Sequence, residues 1–397
     1  MNNWKKKLFG EIAENFDSKR IPLSKLKRVK GKFPYYGASG VVDYVEKYLF
    51  DGEFLLISED GENLNSRKTP IAFIANGKFW VNNHAHIIKG KFGVSETKYL
   101  CYLFQNLDIS GFITGAVQPK LSQNSLNSII INLPPLLTQR RIADILSALD
   151  DKIENNRKTS ERLEQIAQSI FKRWFVDFDF PDAQGRPYKS SGGKMIENEL
   201  GLIPEGWKIG TVSDLAKNGE IITGKTPPAN IKNRFGDYLQ FVTIPDLHQG
   251  SYIDKTERKL SKEGALSQNR SIIPPQSIMV SCIATPGLVG IASESCLTNQ
   301  QINSFIPKRY VFSYFVMKTE KKKIIDFASS GSATPNLNKT QFSKMNIVIP
   351  LEHIIKDFQI MFESTFEEIL NFKKENQKLI QTRDTLLPKL MSGELEV

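Results

Sequence analysis

Cysteine, histidine and closely spaced glycine are all scarce in this sequence. Its 397 residues include only three cysteines and four histidines, and no Gly-x-Gly triplet occurs. Cys101, Cys282 and Cys296 lie far apart, without Cys-x-x-Cys spacing, which predicts reduced thiols rather than a disulfide-stapled secreted fold. His84 and His86 are neighbours but lie near no cysteine, so a zinc site is not expected. The missing glycine triplet argues against a glycine-rich cofactor loop. We therefore expect no metal ion and no cofactor on this chain.

Long apolar runs are missing as well. None approaches the ~20 residues that a membrane-spanning helix needs. No apolar segment follows the basic N-terminal residues, as one would in a signal peptide. The sequence predicts a cytoplasmic protein.

The net charge of +10 is concentrated in two segments. Residues 1–137 hold 18 Lys and Arg against 12 Asp and Glu, and residues 206–350 hold 18 against 10. Residues 138–180 balance at 8 of each, and residues 351–397 are acidic, with 6 against 9. Basic surfaces bind phosphate backbones by releasing counterions. The distribution predicts that both basic segments contact nucleic acid.

These two segments are also copies of one another. Trp4-Lys5 recurs 203 residues later as Trp207-Lys208. Four further matches lie 216 residues apart, namely Asn83 with Asn299, Pro119 with Pro335, Leu121 with Leu337 and Pro134 with Pro350. This period is too long for a solenoid unit, so it indicates a duplicated domain followed each time by a helix. Two similar lobes suit a bipartite, rod-like target, for which duplex DNA is the obvious candidate.

Each copy mixes predicted strands with short helices. Apolar runs bounded by Gly and Asn turns predict strands at 54–57, 71–74, 79–81, 129–133, 238–242, 277–283, 288–292, 302–306 and 346–349. Helices are expected at 96–106 and 310–327. The predicted fold class is α/β, with two pseudo-repeated lobes.

A long helix with a heptad pattern follows each copy. The seam positions assigned to helix pairing are Ile142, Leu146, Leu149, Ile153, Leu163, Ile170, Trp174, Phe358, Phe362, Ile369, Phe372, Leu379, Leu386 and Leu390. Thr365 and the charged Arg383 fall on the same seam. The pattern predicts two antiparallel coiled-coil helices that separate the lobes, each roughly 55 Å long at about 1.5 Å per residue. Such a pair would act as a ruler.

The predicted organisation has five parts. They are a first lobe (1–137), a helical region (138–180), a flexible connector rich in Gly, Pro and Ser (181–205), a second lobe (206–350) and a second helical region (351–397).

Two motifs that look catalytic are not interpreted as active sites. Residues 219–226 match the Walker A pattern, but polar residues precede them and Pro227-Pro228 follow, where a phosphate-binding helix would have to begin. Pro245-Asp246 with Glu257-Arg258-Lys259 has the spacing of a metal-dependent nuclease. Because the intervening segment is polar, an exposed turn is the preferred interpretation.

The candidate DNA-binding residues are basic, amide or hydroxyl side chains, with two tyrosines beside a glycine-rich loop. They are Lys25, Lys27, Arg28, Lys30, Lys32, Tyr35, Tyr36, Ser39, Asn82, Asn83, His84, Gln118, Lys120, Lys225, Thr226, Asn299, Gln300, Gln301, Thr334, Asn336, Asn338 and Lys339. The tyrosines are equally well explained as packing residues. The shared Asn83 and Asn299 are better explained as backbone supports. The turns 115–122 and 331–338 are as well explained as structural turns. His84, aligned with Gln300, is the preferred specificity pair.

In this order the motifs resemble one known family. They are 34–40 (PYYGASG), 82–85 (NNHA), 118–122 (QPKLS), 133–135 (LPP), 174–178 (WFVDF), 201–207 (GLIPEGW), 224–227 (GKTP), 298–301 (TNQQ) and 387–395 (LPKLMSGEL). The chain resembles the specificity (S) subunit of Type I restriction–modification systems over essentially its whole length.

The resemblance implies a DNA reader that is not itself an enzyme. Each lobe (1–137 and 206–350) would be a target recognition domain that binds one half of a split DNA target. The helices that carry the heptad seams would dock two methyltransferase (M) subunits. S-adenosylmethionine would be bound by the M subunits, which methylate adenine on its exocyclic amine. ATP and Mg would serve restriction (R) subunits in the full complex. Two alternatives stay open at this point: a self-sufficient DNA-modifying enzyme and a general basic nucleic-acid-binding scaffold.

Overall fold

The computed structural model describes residues 3–115, 117–329 and 335–397. The chain divides into two compact units, Met1–Glu154 with Gln377–Val397, and Asn155–Asn376. Within the described residues, no helix is both long enough and apolar enough to cross a membrane.

The first unit contains an α/β lobe whose strands alternate with short helices. Its elements are β1 Lys5–Leu8, α1 Phe9–Ile12, β2 Ala13–Asn15, β3 Lys30–Gly37, β4 Gly40–Val45, β5 Phe50–Asp51, β6 Phe54–Ser58, α2 Asn63–Ser66, β7 Ala72–Ala75, β8 Lys78–Val81, β9 Ala85–Gly90, α3 Thr97–Asn106, α4 Gln123–Asn127 and β10 Ile130–Leu133. One four-stranded sheet has the order β2-β9-β6-β7, a second has the order β4-β3-β8-β5, and β1 pairs with β10.

The second unit repeats this arrangement. Its elements are β11 Met195–Asn198, β12 Gly201–Pro204, β13 Lys208–Thr211, α6 Val212–Leu215, β14 Ile222–Thr223, β15 Phe235–Val242, β16 Tyr252–Ile253, β17 Arg258–Leu260, α7 Lys262–Leu266, β18 Ile278–Ser281, β19 Val289–Ala292, β20 Cys296–Thr298, β21 Ile302–Phe305, α8 Tyr310–Thr319, α9 Lys321–Ser329, α10 Lys339–Ser343 and β22 Asn346–Ile349. The sheets have the orders β14-β21-β18-β19-β16 and β17-β15-β20, and β13 pairs with β22.

Strand pairing confirms that the two lobes are copies. β3 runs parallel to β8 in the first lobe, and β15 runs parallel to β20 in the second. β6 lies between β7 and β9, just as β18 lies between β19 and β21. An apolar helix, α3 or α8, packs on each of these central sheets. The predicted α/β class with an internal repeat is therefore confirmed.

Two long helices, α5 Leu136–Phe171 and α11 Glu352–Ser392, contribute to both units. In the first unit Ile142 and Leu146 of α5 share an apolar cluster with Leu390 of α11. In the second unit the side-chain amide of Asn156 donates to Asn376 at 2.9 Å, and the rings of Phe171 and Phe358 lie 5.6 Å apart. Early residues of α5 thus meet late residues of α11, so the helices pair antiparallel within each unit.

The seam of α11 differs from the predicted one at residues 365 and 366. Phe366 is fully buried, whereas the predicted seam residue Thr365 is only half-buried. A helix that packs against both its partner helix and a lobe buries a wider stripe than a coiled-coil seam, and Phe366 lies on the added part. The charged seam residue Arg383 forms an ion pair with Asp150 at 2.7 Å.

The other seam residues are all at least partly buried. Ile142, Leu146, Trp174, Phe358, Phe362, Ile369 and Leu390 are buried, and Leu149, Ile153, Leu163, Ile170, Phe372, Leu379 and Leu386 are half-buried.

The segment 181–205, which its composition predicts to be a flexible connector, contains regular structure. It contains the β11–β12 hairpin, and it belongs to the second unit. The ring of Tyr188 stacks on Phe180 at 4.7 Å, and Phe180 stacks on Trp207 at 5.2 Å. These aromatic contacts hold the ends of the segment against the core. The Gly and Pro residues therefore shape turns within an ordered segment.

Candidate nucleic-acid interface

Four loops of the first lobe meet where strands β3, β6 and β8 end and β9 begins. The hydroxyl of Ser58 donates to the carbonyl of Ala38 at 2.6 Å. The amide of Glu59 donates to the carbonyl of His84 at 2.9 Å, and Gly61 donates to Pro119 at 3.0 Å. We call residues 38–39, 59–60, 82–84 and 117–120 the first recognition edge. The structure thus brings together Ser39, Asn82, Asn83, His84, Gln118 and Lys120, which the sequence had marked separately.

His84 is held by two neighbours on this edge. Its backbone amide donates to the Oδ1 atom of Asn82 at 2.8 Å. Its ring atom Nδ1 lies 2.9 and 2.8 Å from the two carboxylate oxygens of Asp60. The His84 side chain remains 48% exposed, whereas that of Asp60 is 19% exposed. The ring is therefore anchored on one side and open to a ligand on the other.

A network of buried and half-buried ionisable groups lies behind the edge. Nδ1 of His86 lies 2.6 Å from Asp17, and Nε2 lies 2.8 Å from the carbonyl of Leu121. Arg20 binds Glu59 at 2.6 Å and also donates to the carbonyls of Asn83 and Ala85. The network ties the loops of the edge to the sheet.

In this network, protein side chains balance the negative charges of Asp17 and Glu59, whereas in a metal site the ion would do so. Burial alone would raise the pKa of Asp17, but hydrogen bonding and attraction from His86, with the amide of Ile87 and the side chain of Asn15, hold it below its usual value. Among described residues, Asp17, Glu59 and His86 have ligand atoms close enough together to hold a metal ion. The guanidinium of Arg20, which binds Glu59 at 2.6 Å, already supplies the compensating positive charge.

The second lobe builds an equivalent edge. The amide of Cys282 donates to the carbonyl of Gln301 at 2.8 Å, and that of Ala284 donates to Pro335 at 3.0 Å. Thr226 lies on this edge too, because its hydroxyl donates to the side-chain oxygen of Gln300 at 2.8 Å. We call residues 225–226, 283–284, 299–301 and 335–336 the second recognition edge. Lys225, Gln300 and Asn336 are exposed on it.

Hydrogen bonds correct the alignment of the two amide clusters. Asn82 and Asn299 each accept an amide two residues ahead, from His84 at 2.8 Å and from Gln301 at 3.1 Å. Their own amides donate to the carbonyls of Tyr36 and Val242. Asn299 therefore corresponds to Asn82, and Gln301 to His84, one residue away from the sequence alignment. The expected backbone support is present, but in the first lobe Asn82 provides it instead of Asn83.

The support behind the second edge is neutral. Asn303 takes the position of His86, since both pair with the middle of the central strand and both contact a leucine carbonyl, Leu337 or Leu121. The hydroxyl of Thr223 donates to Asn303 at 2.7 Å. One backbone frame thus carries different side chains in the two lobes.

The tyrosines of β3 and the cations in and just before this strand have different roles. Tyr35 is buried beneath the guanidinium of Arg28, which lies 4.3 Å from the ring centroid and binds Asp43 at 3.2 Å. Tyr36 is half-buried against Phe79, with ring centroids 5.6 Å apart, and burial raises its pKa. Packing therefore explains both tyrosines, which is one of the two interpretations that the sequence left open. The exposed cations are Lys25, Lys27, Lys30 and Lys32.

Three candidates near α10 have separate outcomes. The side chain of Asn338 caps this helix by accepting the amide of Gln341 at 3.0 Å, so it has a structural role. Lys339 begins the helix and is exposed. Thr334 lies outside the described residues.

Both motifs that look catalytic are structural. Residues 224–243 are all described, and no helix begins directly after the Walker-like stretch; the helical turn Ile244–His248 comes later. Asp246 is buried, and its carboxylate accepts the amide of Thr243 at 2.7 Å and that of Glu257 at 3.0 Å. The carboxylate therefore connects Thr243 with Glu257 inside the lobe, and its burial corrects the expectation of an exposed turn.

Known proteins with the same organisation are specificity subunits. The family model described as "Type I restriction modification DNA specificity domain" matches residues 1–165 and 204–379. The Type I restriction enzyme HindI specificity subunit of Haemophilus influenzae is 32% identical, with 100% of each chain covered. The MjaIX specificity subunit of Methanocaldococcus jannaschii is 27% identical over 98% of this chain and 95% of its own.

A solved structure shares the fold. The crystal structure of a Type I restriction–modification S subunit from M. genitalium aligns with a TM-score of 0.63 at 15% identity, covering 98% of this chain and 96% of that one. With the family model matching both lobes, the chain belongs to the specificity subunits of Type I restriction–modification systems.

Proposed function

We propose that the chain selects a bipartite DNA sequence, with each recognition edge contacting one half-site. One observation carries this proposal: the same hydrogen-bonded frame occurs twice with different side chains. His84 and Lys120 in the first lobe correspond to Gln301 and Asn336 in the second. Base edges are distinguished by donor and acceptor pattern, so different side chains on one frame suit two different half-sites.

The chain would supply selection while partner subunits supply chemistry. We propose that it binds two M subunits, that S-adenosylmethionine is bound there, and that R subunits with ATP and Mg complete the complex. The long helices would offer the docking surface and would set the distance between half-sites. Half-sites on one face of B-DNA are about 34–36 Å apart, one helical turn.

Co-expression with its M subunit tests this proposal. Genomic DNA would be sequenced for N6-methyladenine, and the expected result is one split motif with a fixed spacer. Replacing Lys120 or Gln300 by alanine should alter one half of the motif only. Methylation by the purified chain alone would contradict the assignment of chemistry to a partner, and methylation without a split motif would favour a general nucleic-acid-binding scaffold.

Inserting one heptad into both helices tests the spacing role. The insertion would follow Asn155 in α5 and Asn376 in α11, and it adds about 10 Å of helix. We expect the tolerated spacer to lengthen while both half-sites keep their bases. An insertion at the surface turn after Gly185 serves as the control, and an unchanged spacer in the heptad variant would refute the ruler.

A further inference from the structure

The first recognition edge contains one side chain whose hydrogen-bonding polarity is set by a neighbour. His84 faces Asp60 through Nδ1, at 2.8 and 2.9 Å from its two oxygens. Among the described residues, no group forms a hydrogen bond with the other ring nitrogen, Nε2. A carboxylate only accepts hydrogen bonds, so the hydrogen in this contact belongs to Nδ1. In the neutral ring, Nε2 then presents a lone pair to the surroundings.

We propose that His84 and Asp60 form a base-reading pair: Nε2 of His84 accepts a hydrogen bond from an exocyclic amine of DNA, while Asp60 positions the ring and fixes its tautomer. In the major groove such amines belong to adenine and cytosine, whereas guanine presents only acceptors. Asp60 acts through His84, so it is a positioning residue. This inference rests on the proposed function of the chain.

The second lobe supports a role in selection rather than in folding. In its frame Ile283 has the position of Asp60. The backbone of Asp60 pairs antiparallel with that of Lys120, and the backbone of Ile283 pairs in the same way with that of Asn336. Gln301, at the position of His84, uses its side-chain oxygen to accept from Asn299 at 2.9 Å. With its oxygen engaged, the side chain of Gln301 has the hydrogens of its NH2 group left to donate. The second lobe forms this backbone frame without a carboxylate at the position of Asp60. At the position of His84, the first lobe therefore offers a hydrogen-bond acceptor and the second lobe a donor.

Replacing Asp60 by asparagine separates the tautomer from the shape. Asparagine has the same size but offers one oxygen and one NH2, so either ring nitrogen can carry the hydrogen. The complex of this chain with its M subunit would select from duplexes randomised across both half-sites. For Asp60→Asn we expect one base pair of one half-site to lose its preference for an amino-bearing base by about fivefold or more, since a mismatch costs about 1–3 kcal/mol.

Two further variants complete the test. His84→Ala should relax the same base pair. Glu62→Gln is the matched control, because it removes a carboxylate from the same loop without touching the ring, and its selected motif should equal that of the wild type. The half-site of the second lobe is an internal control for folding in every variant.

Two outcomes would overturn the proposal. Asp60→Asn could leave the motif unchanged, as is expected for Glu62→Gln, or it could alter both half-sites equally. A wild-type complex that selects no split sequence would instead refute the proposed function and this inference together. An unchanged split site in Asp60→Asn refutes the base-reading pair alone.

Discussion

Replacing Phe366 with alanine probes how α11 is packed in the second unit. Its side chain is fully buried, and its ring lies 5.7 Å from Phe315 and 5.8 Å from Tyr314, between centroids. Removing a buried phenylalanine ring costs about 3–5 kcal/mol, because transfer energy is lost and a cavity remains. The population of the opened second unit should therefore rise roughly a hundredfold to several thousandfold.

Buried thiols provide an assay that reports on each unit separately. Cys282 and Cys296 are buried in the second unit, where burial raises the pKa of each thiol to about 12. Cys101 is buried in the first unit. Under conditions where opening is fast relative to modification, the labelling rate tracks the open population. Alkylation followed by mass spectrometry should show faster labelling of Cys282 and Cys296, with Cys101 unchanged.

The matched control is Thr365→Ala, at the position that the heptad pattern places on the seam. Because Thr365 is only half-buried, its loss should cost less than about 1 kcal/mol. Labelling of Cys282 in Phe366→Ala that stays within threefold of the wild type would refute the packing argument. Equal acceleration in the two variants would show that the seam runs through both positions.

Other predictions concern contacts within single units. Arg383→Met removes the partly exposed ion pair with Asp150 and should cost about 1 kcal/mol or less, measured as faster labelling in the first unit alone. Lys373 donates to the carbonyl of Tyr252 at 2.7 Å and that of Gln249 at 2.9 Å, so Lys373→Met should speed hydrogen exchange in residues 249–254. The lowered pKa of Asp17 means that its stabilisation is complete above about pH 4 and is lost as pH falls through the folded-state value. In Asp17→Asn, hydrogen exchange in residues 85–90 should therefore depend less on pH in the acid range. A pH dependence as steep as that of the wild type would mean that other carboxylates cause it.

Local patterns predicted some regular elements closely and missed others, because strands β3, β4 and β9 were not predicted and the predicted helix 310–327 is divided into α8 and α9. The apolar run 54–57 is β6, observed as Phe54–Ser58, and 346–349 is β22 with the same bounds. Apolar runs bounded by Gly and Asn turns specify strands locally, so such segments can be interpreted without knowing their partners. The full width of the buried stripe on α11 was harder to predict, because the lobe that buries Phe366 is assembled from segments far away in the sequence.

The recognition edges show where sequence patterns stop being informative. The repeat of Pro119 as Pro335 located equivalent loops, and both prolines accept equivalent amides. The pairing of Asn83 with Asn299 was wrong by one residue, because identity alone cannot separate a conserved bond from a chance match. An Asp-Gly turn contains Asp60, but nothing local connects it with His84.

Sequence alone determined that the chain holds two related lobes with long heptad helices. Duplication and periodicity are visible in the order of the residues and do not depend on how the chain folds. Only the tertiary structure decided which side chains share an edge. Asp60 and His84 meet because Ser58 pairs with Ala85 in the β6–β9 ladder, and one residue of slip would part them. Strand register depends on the packing of the whole lobe, and so does the polarity that each edge presents.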